Sequence, residues 1–254
     1  MTEKSRLDID PDQPIDFGYE TIRAGDKQDR VRSVFDSVAS SYDIMNDVMS
    51  LGIHRAWKDT LIRMINPIAD QHLIDLAGGT GDIASRFLKR GGGRASIVDI
   101  NVEMMMAGRK RPDLAAMTNL SWIAGNAESI PFEDQTADVV TIAFGLRNVT
   151  DRNRAIAEAY RVLKPEGRFY CLEFSHVQNP ALGKIYDLWS SMLPGFGQMI
   201  ARDSESYQYL VQSIRRFPPQ DELAAMFAAA GFARVKYRNL TNGIAAIHCG
   251  WKLD

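Results

Sequence analysis

Leu73-Ile74-Asp75-Leu76-Ala77-Gly78-Gly79-Thr80-Gly81-Asp82 is the stretch that decides the fold. An apolar run interrupted by one carboxylate enters a glycine-rich loop, and the amphipathic segment Asp82–Arg90 follows. Glycine lets the backbone turn sharply and lets N–H groups approach a ligand, so a strand that ends this way and feeds a helix reads as the first turn of a βαβ unit. The spacing predicts a strand over His72–Leu76 and a helix over Asp82–Arg90.

Outward from the loop the alternation continues. Apolar runs predict strands at Ala95–Val98, Leu120–Ala124, Ala137–Phe144 and Gly167–Glu173, with helices at Val102–Lys110 and Arg152–Val162. A helix over Gln220–Ala230 with Gly231 as its C-cap leads to Val235–Leu240 and Ile244–Trp251. Asn242-Gly243 between those two runs is a hairpin signal, so the sheet should end antiparallel. The expected fold is α/β: a doubly wound, mostly parallel seven-stranded sheet with an antiparallel C-terminal hairpin.

Residues 1–16, rich in charge and proline, read as a flexible tail. Residues 17–254 read as one domain with two additions. The first is a helical cap over 17–66, in which Val31, Val34, Phe35 and Val38, then Met45, Val48 and Met49, recur at helical spacing around a break at Ser40–Asp43. The second is an insert over 175–219, rich in Tyr, Trp, Met and Leu, expected to form a lid.

The 254 residues carry a formal net charge of −2, which argues against a protein held to nucleic acid by bulk electrostatics. Cys171 and Cys249 stand apart in apparent strands, so neither a disulfide framework nor a zinc site is expected, and no carboxylate or histidine cluster suggests another metal. Without an apolar segment near Met1, the chain reads as cytoplasmic, with a place at the periphery of the inner membrane left open.

The loop alone does not choose its ligand, because Gly79-x-Gly81-x-x-Ala84 also satisfies a permissive dinucleotide pattern. Asp75 separates the candidates. A carboxylate two residues before the loop repels a pyrophosphate and suits a cationic ligand. S-adenosylmethionine carries a sulfonium and an ammonium and no phosphate. Asp99, about 20 residues beyond the loop, can accept bonds from ribose hydroxyls. Asn126-Ala127, followed by Ile130-Pro131-Phe132, offers one polar contact and apolar faces to an adenine. An NAD(P) oxidoreductase is the rival that Asp75 and this segment disfavour.

These motifs in this order, with Arg161-Val162-Leu163-Lys164-Pro165, resemble the class I S-adenosylmethionine methyltransferases. Phe35-x-Ser37-Val38-Ala39-x-x-Tyr42-Asp43-x-Met45-Asn46-Asp47, Gly52-Ile53-His54-Arg55-x-Trp57, Phe144-Gly145-Leu146-Arg147-Asn148-Val149-Thr150-Asp151 and Ser206-Tyr207-x-Tyr209-Leu210-x-x-Ser213-Ile214-Arg215 are similar to those of the ubiquinone/menaquinone biosynthesis C-methyltransferases. The resemblance runs from about Phe17 to the end. It implies S-adenosylmethionine as cofactor, contacts at Thr80, Asp99, Asn126 and Ala127, and a supporting role for Gly79 and Asp75. At Ala143, where the family carries a contacting serine, the hydroxyl is missing, so any contact there is through the backbone or absent. Ala77 stands where class I enzymes place a first glycine, which suggests that a positive φ is not required there.

The implied reaction is methylation of a ring carbon of a polyprenylated benzoquinol, of demethylmenaquinol, or of both. A phenol titrates near ~10, so such a site must stabilise a phenolate. Arg147, just past the fourth strand, is the candidate for that oxyanion, or with Asn148 only shapes a loop; Tyr42 reads either as closing over the cofactor or, with Asp43, as a core aromatic and helix cap. His54 and Arg55 read either as catalytic or as a solvated helix face, and His248 as structural. The aromatic run from Tyr186 to Leu210 reads equally as a tunnel for an isoprenoid tail or as a lid packed on the domain. Expected partners are the prenylated quinol, a transient membrane surface, other quinone-biosynthesis enzymes and a second copy of the chain. The alternatives are a methyltransferase for another small molecule and a nonenzymatic scaffold.

Overall fold

Strand β3 (His72–Leu76) is buried at every residue and lies between two parallel neighbours, which explains its nearly continuous apolar run. The computed structural model describes residues 9–38, 47, 50, 52–183 and 204–254. Its elements are β1 (Pro14–Phe17), β2 (Glu20–Arg23), α1 (Ala24–Val38), α2 (His54–Ile65), β3, α3 (Asp82–Lys89), β4 (Arg94–Asp99), α4 (Val102–Arg109), α5 (Pro112–Ala115), β5 (Leu120–Ala124), β6 (Ala137–Ala143), α6 (Arg152–Val162), β7 (Leu163–Phe174), α7 (Ser204–Arg215), α8 (Gln220–Ala229), β8 (Ala233–Leu240) and β9 (Ala245–Trp251).

The seven-stranded sheet has the order β5-β4-β3-β6-β7-β9-β8. Its first five strands are parallel, and β9 runs antiparallel to both β7 and β8. The doubly wound sheet with an antiparallel C-terminal hairpin is therefore present. Asn242 (φ 57°) and Gly243 (φ 96°) make the hairpin turn, where an added Cβ on Gly243 would lie 2.6 Å from the His176 carbonyl oxygen. Each face of the sheet has its own core. Trp57, Leu61 and Ile65 of α2 pack on one face with Phe87, Tyr170 and Leu172. Ile156 and Ala159 of α6 and Leu223 and Phe227 of α8 cover the other.

Three boundaries differ from the sequence reading by more than two residues. Pro14–Phe17 is not loose chain: it pairs with Glu20–Arg23, anchored by buried Phe17 stacked on Tyr209 with ring centroids 4.3 Å apart. Helix α1 begins at Ala24, before the first apolar position of the predicted helix, and an Arg23–Asp26 bond ties the end of β2 to its first turn. Strand β7 begins at Leu163, because Lys164-Pro165-Glu166-Gly167 forms a bulge instead of ending the pairing. There Glu166 takes φ 63° and donates its N–H to the Lys252 carbonyl at 2.7 Å.

Of the insert, α7 is described. Tyr207, Tyr209 and Leu210 are buried against the domain, with Leu210 in the same core as Trp57. Tyr42, Asp43, Tyr186, Trp189 and Met199 lie outside the described residues.

Candidate active site

Beyond β3 the chain passes through Ala77 (φ 49°), Gly78, Gly79 (φ 51°) and Gly81 (φ 80°) before α3 begins. Ala77 therefore occupies the left-handed region after all. An alanine there costs of order 1 kcal/mol, and nothing in the residue type reveals this. Phe144, one residue past β6, takes φ 58° as well. The two neighbouring parallel strands thus both end in a left-handed residue. Gly145 sits between them, where a Cβ would come within 2.6 Å of the Ala77 methyl.

The loop is tied to the end of β4. Asp99 accepts a 2.7 Å bond from the Gly79 N–H with one oxygen and a 2.7 Å bond from the Asn101 N–H with the other. Burial nevertheless raises its carboxyl above the ordinary value, against these backbone donors. A carboxylate has about four acceptor positions, so capacity remains for hydroxyl donors.

Two clefts flank the loop and share Ala77, Gly79 and Phe144. The larger, about 810 Å³ to its open mouth, is lined by Asp99, Met104, Asn126, Ala127, Asn148 and other residues. The smaller is lined by Lys58, Asp75, Thr80, Asp82, Ile83 and Ala143, with Gly78 as its floor. The seven residues expected at a cofactor thus fall on two adjoining surfaces: Gly79, Asp99, Asn126 and Ala127 on one, and Asp75, Thr80 and Ala143 on the other. Asn126 is partly committed to its own turn, since its carbonyl accepts the Glu128 N–H at 2.9 Å.

Asp75 is fully buried. Thr141 donates to its Oδ1 at 2.7 Å, while Oδ2 has no hydrogen-bond partner among the described residues. Burial pushes its carboxyl up to about 7. Gly78 is what gives this oxygen room, because a Cβ there would lie 2.8 Å from Oδ2.

Arg147 lines neither cleft. It is buried in the 3₁₀ turn Leu146–Asn148, where its NH1 donates to Glu173 at 2.6 Å and to the Phe144 carbonyl at 2.7 Å. Its guanidinium lies over the Phe174 ring at 5.6 Å, and Nε and Nη2 are without hydrogen-bond partners among the described residues. The neighbouring Tyr209 hydroxyl, pushed up to about 12 by burial, donates to Asn148 at 3.1 Å. His54 is not on a solvated face: it is buried, bonded to Ser50 at 2.9 Å, and held down to about 4 by burial and by Lys58. Arg55 is exposed and paired with Asp47. His248 is buried, with Nε2 against the Gln220 carbonyl at 2.9 Å.

Lys58, which lines the smaller cleft, and Glu173, which pairs with Arg147, are the residues that the sequence reading missed. Glu173 carries no local signal. Lys58 does, because it stands at a helical interval on the stripe of Trp57, Leu61, Ile62 and Ile65, where a charge is out of place.

Residues 23–252 match the model of the ubiE/COQ5 methyltransferase family. The chain belongs to this family. A ubiquinone/menaquinone biosynthesis C-methyltransferase of Roseobacter denitrificans is 54% identical, with 96% of this chain and 99% of that protein covered. The mitochondrial 2-methoxy-6-polyprenyl-1,4-benzoquinol methylase of Xenopus laevis is 48% identical over 93% of this chain and 89% of that protein. Among solved structures, an S-adenosylmethionine-dependent methyltransferase of Thermotoga maritima shares the fold with a TM-score of 0.64 at 19% identity, over 87% of this chain and 99% of that one.

Membership makes the protein an S-adenosylmethionine-dependent C-methyltransferase, and the clefts of this ubiE/COQ5 methyltransferase fit that cofactor. The unpartnered Asp75 Oδ2 suits an ammonium, Asp99 suits vicinal hydroxyls, and Met104 and Ala127 offer the apolar surface a purine needs.

Proposed function

We propose that the protein methylates a ring carbon of a polyprenylated benzoquinol of the 2-methoxy-6-polyprenyl-1,4-benzoquinol type, of demethylmenaquinol, or of both. The observation that carries this reading is the junction of the two clefts at Phe144. A buried carboxylate oxygen without a partner among the described residues lies on one side, and Gly145, Asn148, Val149 and Thr150 line the other.

When bound, S-adenosylmethionine supplies an electrophilic methyl on its sulfonium. Asp75, Asp99, Asn126 and Ala127 hold and orient it, with Gly79 and Thr80 from the loop and backbone contact at Ala143. The substrate carbon becomes nucleophilic when its neighbouring phenol gives up its proton. Arg147 is assigned to that oxygen: its Nε and Nη2 have no partner among the described residues, and the substrate must displace the turn that keeps them out of both clefts. Glu173 fixes the plane of the guanidinium. After transfer, the ring carbon sheds its own proton and aromaticity returns.

The substrate's isoprenoid tail places the enzyme at a membrane surface in passing. No helix among the described residues is long and apolar enough to cross a membrane. The reading includes a cytoplasmic location peripheral to the inner membrane, association with other quinone-biosynthesis enzymes, and a homodimer.

Incubation with labelled S-adenosylmethionine and a panel of reduced benzoquinols and naphthoquinols, followed by mass spectrometry, tests the reaction. The expected product carries the label on a ring carbon. Label on oxygen, or on neither quinol class, would overturn the reading. Shortening the tail should raise KM through lost apolar burial of about 25 cal/mol per Å².

A further inference from the structure

Lys58 projects from α2 into the smaller cleft, on a helix whose remaining buried stripe is apolar apart from His54. Its side chain is 7% exposed. An ammonium has three donors, and among the described residues the one hydrogen bond that Lys58 makes is to Asp82 Oδ2, at 2.9 Å. Asp82 also accepts from Arg86 at 2.9 Å, so it has a second cationic partner. Burial alone would raise the Asp82 carboxyl, but Lys58 and Arg86 together outweigh it and hold the group at about 2. Asp82 is therefore a firm anchor that fixes where the Lys58 ammonium sits.

Asp75 lines the same cleft with an oxygen that has no partner. Buried polar groups are normally satisfied. Here a buried cation with spare donors and a buried acid with a spare acceptor face one small space without bonding each other. That pairing is the complement of an α-amino acid zwitterion.

We infer that Lys58 is a positioning residue that holds the α-carboxylate of the methionyl end of the cofactor, opposite the ammonium at Asp75, with Asp82 fixing its ammonium. The inference rests on the reading that the clefts hold S-adenosylmethionine. It adds that the enzyme discriminates for the amino-acid end by charge at both of its groups, and that α2 contributes to cofactor affinity as well as to the core.

Calorimetry on the full chain with three ligands tests it: S-adenosylhomocysteine, its decarboxylated analogue, and 5′-methylthioadenosine, which lacks both charged groups. Wild type should bind the decarboxylated analogue about 10- to 100-fold more weakly than S-adenosylhomocysteine, the usual range for a charge-assisted bond. Lys58→Met should bring S-adenosylhomocysteine down to that level and leave 5′-methylthioadenosine unchanged. The double variant Lys58→Met/Asp82→Asn leaves no unpaired charge from this couple and should behave likewise if the single variant folds poorly.

Equal wild-type affinity for the carboxylated and decarboxylated ligands would overturn the inference. So would a Lys58→Met protein that binds S-adenosylhomocysteine as wild type does, or that loses all three ligands in proportion. No wild-type binding of S-adenosylhomocysteine at all would instead remove the cofactor reading, and this inference with it.

Discussion

Thr141 Oγ1 reaches across from β6 to donate a 2.7 Å hydrogen bond to Asp75 Oδ1, its register partner on β3, and the second carboxylate oxygen has no partner among the described residues. Burial, the largest cause, lifts the folded-state value to about 7 from the ordinary 3.8. The folded protein thus holds this proton more tightly than the unfolded chain. The sign follows: the contribution of Asp75 to stability declines as pH rises from about 4 to about 7, and is level above that. Asp75→Asn keeps an acceptor for Thr141 and carries no charge. Urea midpoints measured across pH 4–8 should fall less steeply in the variant than in wild type, and its S-adenosylhomocysteine affinity should drop about tenfold or more. Parallel pH profiles would assign the titration to another group.

Gly145 needs no unusual backbone, since its φ is −113°. What it lacks room for is a side chain, because a Cβ would meet the Ala77 methyl at 2.6 Å and Ile142 Cγ1 at 3.2 Å. Gly145→Ala should push the two strand ends apart at the junction of the clefts. The expected cost is about 1–3 kcal/mol of stability, together with loss of cofactor binding out of proportion to it. Chemical denaturation beside calorimetry separates the two effects; a variant with wild-type affinity would show that Ala77 yields freely.

The parallel core was legible in the sequence because burial on both faces leaves a simple signature. His72–Leu76 is that case, and the edge strand Leu120–Ala124 and the helix Arg152–Val162 also start and stop where periodicity and punctuation say. The hairpin at Asn242-Gly243 was legible for the same reason of local chemistry. What escaped depends on contacts distant in sequence. Pro14–Phe17 becomes a strand because Tyr209, nearly 200 positions away, stacks on Phe17. Glu173 is one more residue of an apolar strand until Arg147 arrives beside it. The left-handed Ala77 is invisible because alanine rarely adopts that region, and the surrounding strands impose it. Asp75 and Asp99 stood out because a carboxylate at the buried end of a parallel strand is costly without a task. Lys58 had the same oddity within a helix.

Asp99 holds the loop and the end of β4 together through two backbone N–H groups, 2.7 Å to Gly79 and 2.7 Å to Asn101. Asp99→Asn can accept one of these and must turn its amide toward the other donor. An unsatisfied buried N–H costs about 1–3 kcal/mol. The variant should lose stability in that range and bind S-adenosylhomocysteine and 5′-methylthioadenosine equally poorly, since both carry the ribose. A defect confined to S-adenosylhomocysteine would mean that Asp99 acts on the amino-acid end instead.

Arg147 and Glu173 form an ion pair at 2.6 Å whose side chains are 0% and 1% exposed. A pair this deeply buried is weak ground for stability, yet removing one member strands the other charge. Glu173→Ala should cost about 3–5 kcal/mol, and more than an exposed pair such as Arg23–Asp12 could. The double variant Arg147→Met/Glu173→Leu should recover most of that loss. Recovery is incomplete because the Phe174 N–H, which donates to Glu173 at 2.9 Å, then lacks its acceptor. Turnover distinguishes the structural role from the chemical one. If Arg147 stabilises the substrate's oxyanion, the double variant should be folded, bind S-adenosylhomocysteine near the wild-type Kd, and methylate at least a hundredfold more slowly, as loss of an oxyanion donor costs ~10²–10³ in kcat. The rate deficit should also shrink as pH rises toward the quinol's own pKa, where the phenolate forms unaided. A folded double variant with wild-type kcat would confine Arg147 to the core.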